Sequence, residues 1–182
     1  MTDLTPLLAF RWSPRSFDPG ADLDPAEVDV LVEAARWAPS AENRQPWRFA
    51  VGHRDDETWK RIMVNLPGRD QRWAGRASAL LLAGHLTPDA DPTGYAPYDL
   101  GHAVAQLTVQ ATALGLHVRQ LRDLDRAGLS ADLDLPDDVR PAVVLAVGRL
   151  GDPLSLPADL LESETGLRRR RPPADLLLHT HG

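Results

Sequence analysis

Apolar residues at Val28, Leu31, Val32 and Ala35 recur at the i, i+3, i+4, i+7 spacing of one helical face, which predicts an amphipathic helix from about Pro25 to Trp37. Its start is marked by Asp24 as cap, Pro25 in the first turn and Glu27 three residues beyond the cap, a capping-box pattern. The stretch after it, "APSAENRQP", is bracketed by Pro39 and Pro46 and reads as a loop. Trp47, Phe49 and Val51 then alternate with Arg48 and Ala50, the period of a half-buried strand. A short helix is expected over Glu57 to Asn65, followed by a turn at "PGRD". "ALLLAGHL", Ala79 to Leu86, is too continuously apolar for a surface helix and predicts a buried strand. From Tyr98 to Leu114, apolar residues at Leu100, Ala103, Leu107, Ala111 and Leu114 predict a helix that stops at Gly115, and small residues on both its faces suit a central position. "LHVRQL" and "AVVLAVGRL" predict two more strands, with a short helix near Asp125 to Leu129 between them. The remaining chain is rich in proline and charge and reads as an extended arm.

Composition narrows the chemistry. The 182 residues suit one domain, divided into a body over 1–150 and an arm over 151–182, and 43% apolar with 25% charged residues is ordinary for a globular protein. No stretch is long and apolar enough to span a membrane, and "MTDLTPLLAF" carries an acid where a secretory signal needs a base, so a soluble cytoplasmic protein is expected. The absence of cysteine excludes disulfides, thiolate catalysis and iron–sulfur clusters, so redox chemistry would have to come from a cofactor. A net charge of −6 argues against nucleic-acid or acidic-membrane partners. Glycine-rich dinucleotide, P-loop, His-Glu-x-x-His and nucleophile-elbow patterns are missing.

Three separated segments carry candidate chemistry. "RWSPRSF" sets Arg11 and Arg15 on either side of Ser13, two planar donor forks and a hydroxyl that suit a phosphate or a solvated turn. "PSAENRQPW" offers Ser40, Asn43 and Gln45, groups able to pair with a heterocycle or to build a helix-to-strand connection. Arg168 to Arg171 form a local anion site or a basic tail. His85, His102 and His117 lie near apolar runs and read as core or rim residues, and no metal site is expected, His179 and His181 included.

Together these segments resemble the nitroreductase family of flavin-dependent oxidoreductases. "RWSPRSF", "EAARWAPSAENRQPWRF", "YDLGHAVAQLTVQATALGL", "VVLAVGRLGDPLSLP" and "RRRRPPADLLL" follow the family's order over nearly the whole chain. The resemblance implies an α+β fold with a central, mainly antiparallel sheet flanked by helices, in an intertwined homodimer whose C-terminal arms are exchanged. It implies FMN at the dimer interface, with NADH or NADPH as hydride donor and a small electron-poor acceptor such as a nitroaromatic or quinone, in ping-pong order. By position in the family's motif, Arg11 and Ser13, joined by Arg169 and Arg171, would hold the flavin phosphate. Arg15 would stabilise charge at the N1 and O2 edge, and no protein acid or base would be needed. Ser40 and Asn43 would approach the ring system from the partner subunit, with Pro39 and Gln45 shaping that loop.

Two positions depart from the family pattern. Asp70 stands where an asparagine commonly meets the pyrimidine edge, and a carboxylate there accepts from N3–H but cannot donate. Arg122 and Asp123 stand where glycines usually bring a backbone N–H to flavin N5. They open an alternative in which the fold holds or stores flavin with little reductase turnover.

Overall fold

The computed structural model describes residues 4–178. Its centre is a four-stranded sheet of β1 (Trp47–His53), β2 (Ala79–Leu86), β3 (His117–Leu121) and β4 (Val139–Gly148), in the order β1-β2-β4-β3 with every pairing antiparallel. The described residues also form seven α-helices: α1 (Pro6–Phe10), α2 (Pro25–Arg36), α3 (Glu57–Val64), α4 (Gly68–Ala74), α5 (Ala96–Ala113), α6 (Arg126–Asp132) and α7 (Ala158–Thr165). The α+β class expected from the sequence is the one observed.

The two central strands explain their own composition. Ala79, Leu81 and Ala83 of β2, with Val143, Leu145 and Val147 of β4, pack on one side against α2 and α5. Leu80 and Leu82, with Val144 and Ala146, enter a second core on the other side with Ile62 of α3, Trp73 of α4 and Leu129 of α6. A strand covered on both faces has no solvated side to mark with polar residues, so "ALLLAGHL" reads as a continuous run. The helices keep their wet faces, and α2 begins with the expected box: Ala26 N donates to Asp24 Oδ1 at 2.8 Å and Asp24 N to Glu27 Oε2 at 3.1 Å.

Gly52 lets β1 and α3 approach. A Cβ added there would lie 2.3 Å from the Trp59 nitrogen and 2.5 Å from its Cα, where Trp59 N donates to Asp56 Oδ1 at 2.7 Å to cap α3. Gly52→Ala is therefore expected to destabilise the fold by about 3 kcal/mol through overpacking against backbone, read as a lower urea midpoint at unchanged slope.

Three sequence expectations change. The turn at "PGRD" is instead the start of α4, with Pro67 as its cap and Trp73 and Ala74 buried. Helix α1 has no counterpart in the periodicity, because its five residues bury none of their side chains. The segment from 151 is not extended throughout: a 3-10 turn at Pro153–Ser155 and α7 return to the body, and only beyond α7 is the chain exposed through residue 178. His179 and His181 lie outside the described residues.

Candidate active site

The segment holding Arg11 to Phe17 lies beside β3 and the end of β4. Phe17 forms a short antiparallel bridge with Leu150, Gly151 N donates to the Ser16 carbonyl at 2.7 Å, and Asp18 N donates to the Arg149 carbonyl at 3.0 Å. The fully buried Phe17 ring stacks on Trp73 with centroids 6.2 Å apart. From the far end of the chain, Glu164 of α7 receives this segment. Its carboxylate accepts from Arg15 N at 2.8 and 3.0 Å, from Ser16 N at 3.0 Å and from Ser16 Oγ at 2.8 Å, while only 6% exposed. The Arg15 guanidinium reaches Ser163 Oγ at 2.9 Å.

The start and finish of the chain also meet through their arginines. Arg168 donates to the carbonyls of Arg11 at 2.7 Å and Ala9 at 3.1 Å, and Arg11 lies 3.4 Å from Ser13 Oγ. Burial first, then the charges of Arg170 and Arg168, weaken the hold of Arg11 on its proton. Among the described residues no carboxylate forms an ion pair with Arg11, Arg168 or Arg170. Of the run, Arg168 is thus the member in contact with Arg11, while the Arg170 guanidinium donates to the Arg169 carbonyl at 2.9 Å and its charge is felt at Arg11. All four arginines of the run are exposed, and the guanidiniums of Arg169 and Arg171 make no hydrogen bond or ion pair among the described residues.

Beside this cluster, a cleft of about 550 Å³ is lined by Arg15, Arg69, Asp70, Arg119, Gln120, Leu121, Arg122 and Asp123. Four residues singled out from the sequence (Arg15, Asp70, Arg122 and Asp123) therefore share one cavity. Asp70 accepts from Trp73 Nε1 at 3.1 Å and faces Arg69 at 3.8 Å, and Arg69 pairs more closely with Asp123 at 2.5 Å. Arg119, absent from the sequence expectations, donates to the Ser13 carbonyl at 2.6 Å and covers the Trp73 ring at 5.4 Å. Its proton affinity falls through burial and the nearby Arg15, against the opposing pull of Glu164 and Asp70. Arg119 alternates with the buried Val118 on an edge strand, a pattern that any solvated arginine shares. Glu164 gave no signal either, being one acid among several on α7.

The loop carrying Pro39, Ser40, Asn43 and Gln45 lies elsewhere. Ser40 Oγ accepts from Gln45 N at 3.1 Å, and the Gln45 amide donates to the Asn43 carbonyl at 3.1 Å. Glu42, Asn43 and Gln45 take left-handed backbone angles, with φ of 52°, 56° and 51°. Two buried carboxylates hold this costly conformation: Asp99 accepts from Ala41 N at 3.0 Å, and Asp91 pairs with Arg44 at 3.0 Å. The loop feeds edge strand β1, whereas Arg122 follows β3 on the opposite edge. Three strand spacings, about 14 Å, separate the two within one protomer.

His85, His102 and His117 are each partly buried. His85 Nδ1 meets the Leu86 carbonyl at 2.8 Å, His102 packs edge-on to Tyr98, and His117 packs edge-on to Trp12, where burial lowers its basicity. No group of three His, Asp or Glu side chains among the described residues is placed to hold a metal, and no helix there is long and apolar enough to cross a membrane.

Residues 8–64 match the model of the Nitroreductase family, a stretch that contains both the Arg11–Arg15 segment and the Ser40–Gln45 loop. The crystal structure of an oxidoreductase containing FMN superposes with a TM-score of 0.89 at 34% identity, covering 98% of this chain and 92% of that one. The chain belongs to the nitroreductase family. A second crystal structure, of a protein from Desulfovibrio desulfuricans described as a nitroreductase in complex with FMN, gives a TM-score of 0.79 at 25% identity over 98% of this chain and 99% of that one. YdgI of Bacillus subtilis, described as an NAD(P)H nitroreductase, is 26% identical over 149 residues, which cover 81% of this chain and 65% of that protein. Within the nitroreductase frame, Arg122 and Asp123 line the cleft, and Asp70 offers an acceptor there.

Proposed function

We propose that the protein is an FMN-dependent oxidoreductase that takes electrons from NADH or NADPH and delivers them to a small electron-poor acceptor, a nitroaromatic or a quinone. One observation carries the reading: Arg11 beside Ser13 is met by Arg168 at its own carbonyl and feels the charges of Arg168 and Arg170, with no carboxylate paired to these three arginines among the described residues. Crowded guanidiniums without a counter-ion suit a phosphate monoester of nearly two negative charges. The FMN in the two similar structures, and the donor in the description of the Bacillus protein, support the same cofactor and reductant.

Arg11, Ser13, Arg168 and Arg170 would hold the phosphate, and the residues of the neighbouring cleft would receive the ring. When bound, the flavin supplies the hydride chemistry, which is why a chain without cysteine or a nucleophile triad suffices. Arg15 presents a fixed positive charge, oriented before reaction by Ser163 and by the grip of Glu164 on its backbone, so negative charge arising at the ring edge meets no reorganisation cost. Asp70 keeps acceptor capacity on the cleft wall.

The Ser40–Gln45 loop, at least three strand spacings or about 14 Å away across the sheet, would complete the ring site from a second copy. A homodimer follows, with the exposed Leu176, Leu177 and Leu178 of the arm and the unpaired outer edge of β1 as surfaces for a second copy to cover.

Arg15→Ala is expected to slow flavin reduction by NADPH roughly hundredfold while FMN affinity falls less. Anaerobic stopped-flow bleaching of the flavin absorbance reads the rate, and equal rates would remove the role. The side chains of Arg122 and Asp123 on the cleft wall favour a second reading, a flavin-holding protein without turnover. That reading is selected if the FMN-loaded parent protein keeps its spectrum when NADPH is added.

A further inference from the structure

The charges of the cleft do not close. Arg15, Arg69, Arg119 and Arg122 line it against two carboxylates, Asp70 and Asp123. Both carboxylates are engaged by Arg69, at 3.8 and 2.5 Å, and Asp70 also by Trp73 Nε1. Arg119 is committed to the Ser13 carbonyl and the Trp73 face, and Arg15 to Ser163. Glu164, behind Arg15, is saturated by two backbone N–H groups and a hydroxyl. Arg122 is left over. It is exposed and its guanidinium makes no hydrogen bond or ion pair among the described residues, only its carbonyl accepting from Arg126 at 3.2 Å.

From this imbalance we infer that Arg122 is a specificity-determining residue that selects acceptors bearing a carboxylate, small planar aromatic acids in preference to neutral aromatics. The inference rests on the flavin reading, in which Arg15 serves the ring edge. Arg122, on the wall of the same cleft, is then the cleft arginine without a hydrogen bond or ion pair from its guanidinium among the described residues of one protomer. A guanidinium presents two parallel N–H donors that match a carboxylate, and this bidentate geometry is what a neutral amide of the same shape cannot reproduce. The planar body follows from the need of the acceptor to stack on a flat ring.

The test starts with FMN titrated into the apoprotein, read by flavin fluorescence. Failure to bind FMN defeats the flavin reading itself, before any acid is added. With FMN bound, benzoate and its neutral isostere benzamide are titrated separately, and the perturbation of the visible flavin spectrum gives each Kd. Benzoate is expected to bind about tenfold tighter than benzamide or better. Arg122→Ala and Arg122→Gln should bring the ratio of the two constants close to one, and Arg122→Lys should retain part of the preference through its charge. Equal binding of the two ligands to the parent protein overturns the inference. So does a preference that survives Arg122→Ala, or one that disappears in Arg15→Ala alone. If Arg122→Ala weakens NADPH binding and leaves the benzoate preference intact, the guanidinium serves the donor's phosphates and the inference fails.

Discussion

Glu164→Ala is expected to lose about 3 kcal/mol of stability and most of the FMN affinity together. The carboxylate is nearly inaccessible and satisfies the backbone N–H groups of Arg15 and Ser16 and the Ser16 hydroxyl. Truncation leaves these donors buried without an acceptor, and each orphaned group costs on the order of 1–3 kcal/mol. The same change unfastens α7 from the Arg11–Phe17 segment, so the chain beyond α7 loses the tether that brings Arg168 and Arg170 to Arg11. Urea unfolding and FMN titration measure the two effects. Glu164→Gln should fall between, since one amide oxygen still accepts while the NH2 faces donors. A stability change within about 0.5 kcal/mol for Glu164→Ala, the range of an ordinary surface substitution, would show that the contact does not organise the site.

Arg11→Ala should separate binding from stability in the opposite sense. With FMN present, removing one charge-assisted phosphate partner is expected to raise the Kd about tenfold to hundredfold. In the apoprotein the same substitution relieves repulsion among Arg11, Arg168 and Arg170, the repulsion that helps lower the proton affinity of Arg11. The apo Tm is then expected to hold or rise. Inorganic phosphate should raise the Tm of the parent protein more than that of the variant, because only the intact cluster offers the anion its full set of donors. A fall in apo Tm with unchanged FMN affinity would mean that the cluster is a structural contact and that the phosphate lies elsewhere.

The legible parts of the fold are those whose cause lies within a few residues. The capping box of α2, the two-faced burial of β2 and the small-residue helix α5 are local consequences of spacing, and they appear at the expected positions. Helix α4 escaped because it opens on Pro67 and Gly68, turn-formers in any other setting, and buries only Trp73 and Ala74. Helix α7 escaped for a related reason: among its residues Glu164 is the buried one, and nothing near it in sequence tells that its partners lie 148 and 149 positions back.

The candidate site divides in the same way. The residue types of "RWSPRSF" and of the Arg168–Arg171 run announce an anion-binding capacity, and Arg15, Asp70, Arg122 and Asp123, drawn from three distant stretches, do line one cleft. Which arginines of the run face Arg11 was not legible. Four consecutive identical side chains point in different directions around the chain, and the contact of Arg168 with the Arg11 carbonyl joins residues 157 apart. Arg119 was hidden because an arginine on an edge strand has the same local pattern whether it meets water or the Ser13 carbonyl.

By itself, then, the order of residues determined the elements whose hydrophobic period is complete within one turn or one strand, the reliance of any redox chemistry on a borrowed cofactor, and the presence of an arginine cluster near each chain end. The tertiary structure alone decided that those ends meet, that Glu164 joins them, that Arg122 has no counter-charge among the described residues, and that the Ser40–Gln45 loop stands at the far edge of the sheet. Short-range order follows from sterics and burial along the chain. Charge balance in a cleft depends on which distant groups a common core draws together, and no local pattern encodes it.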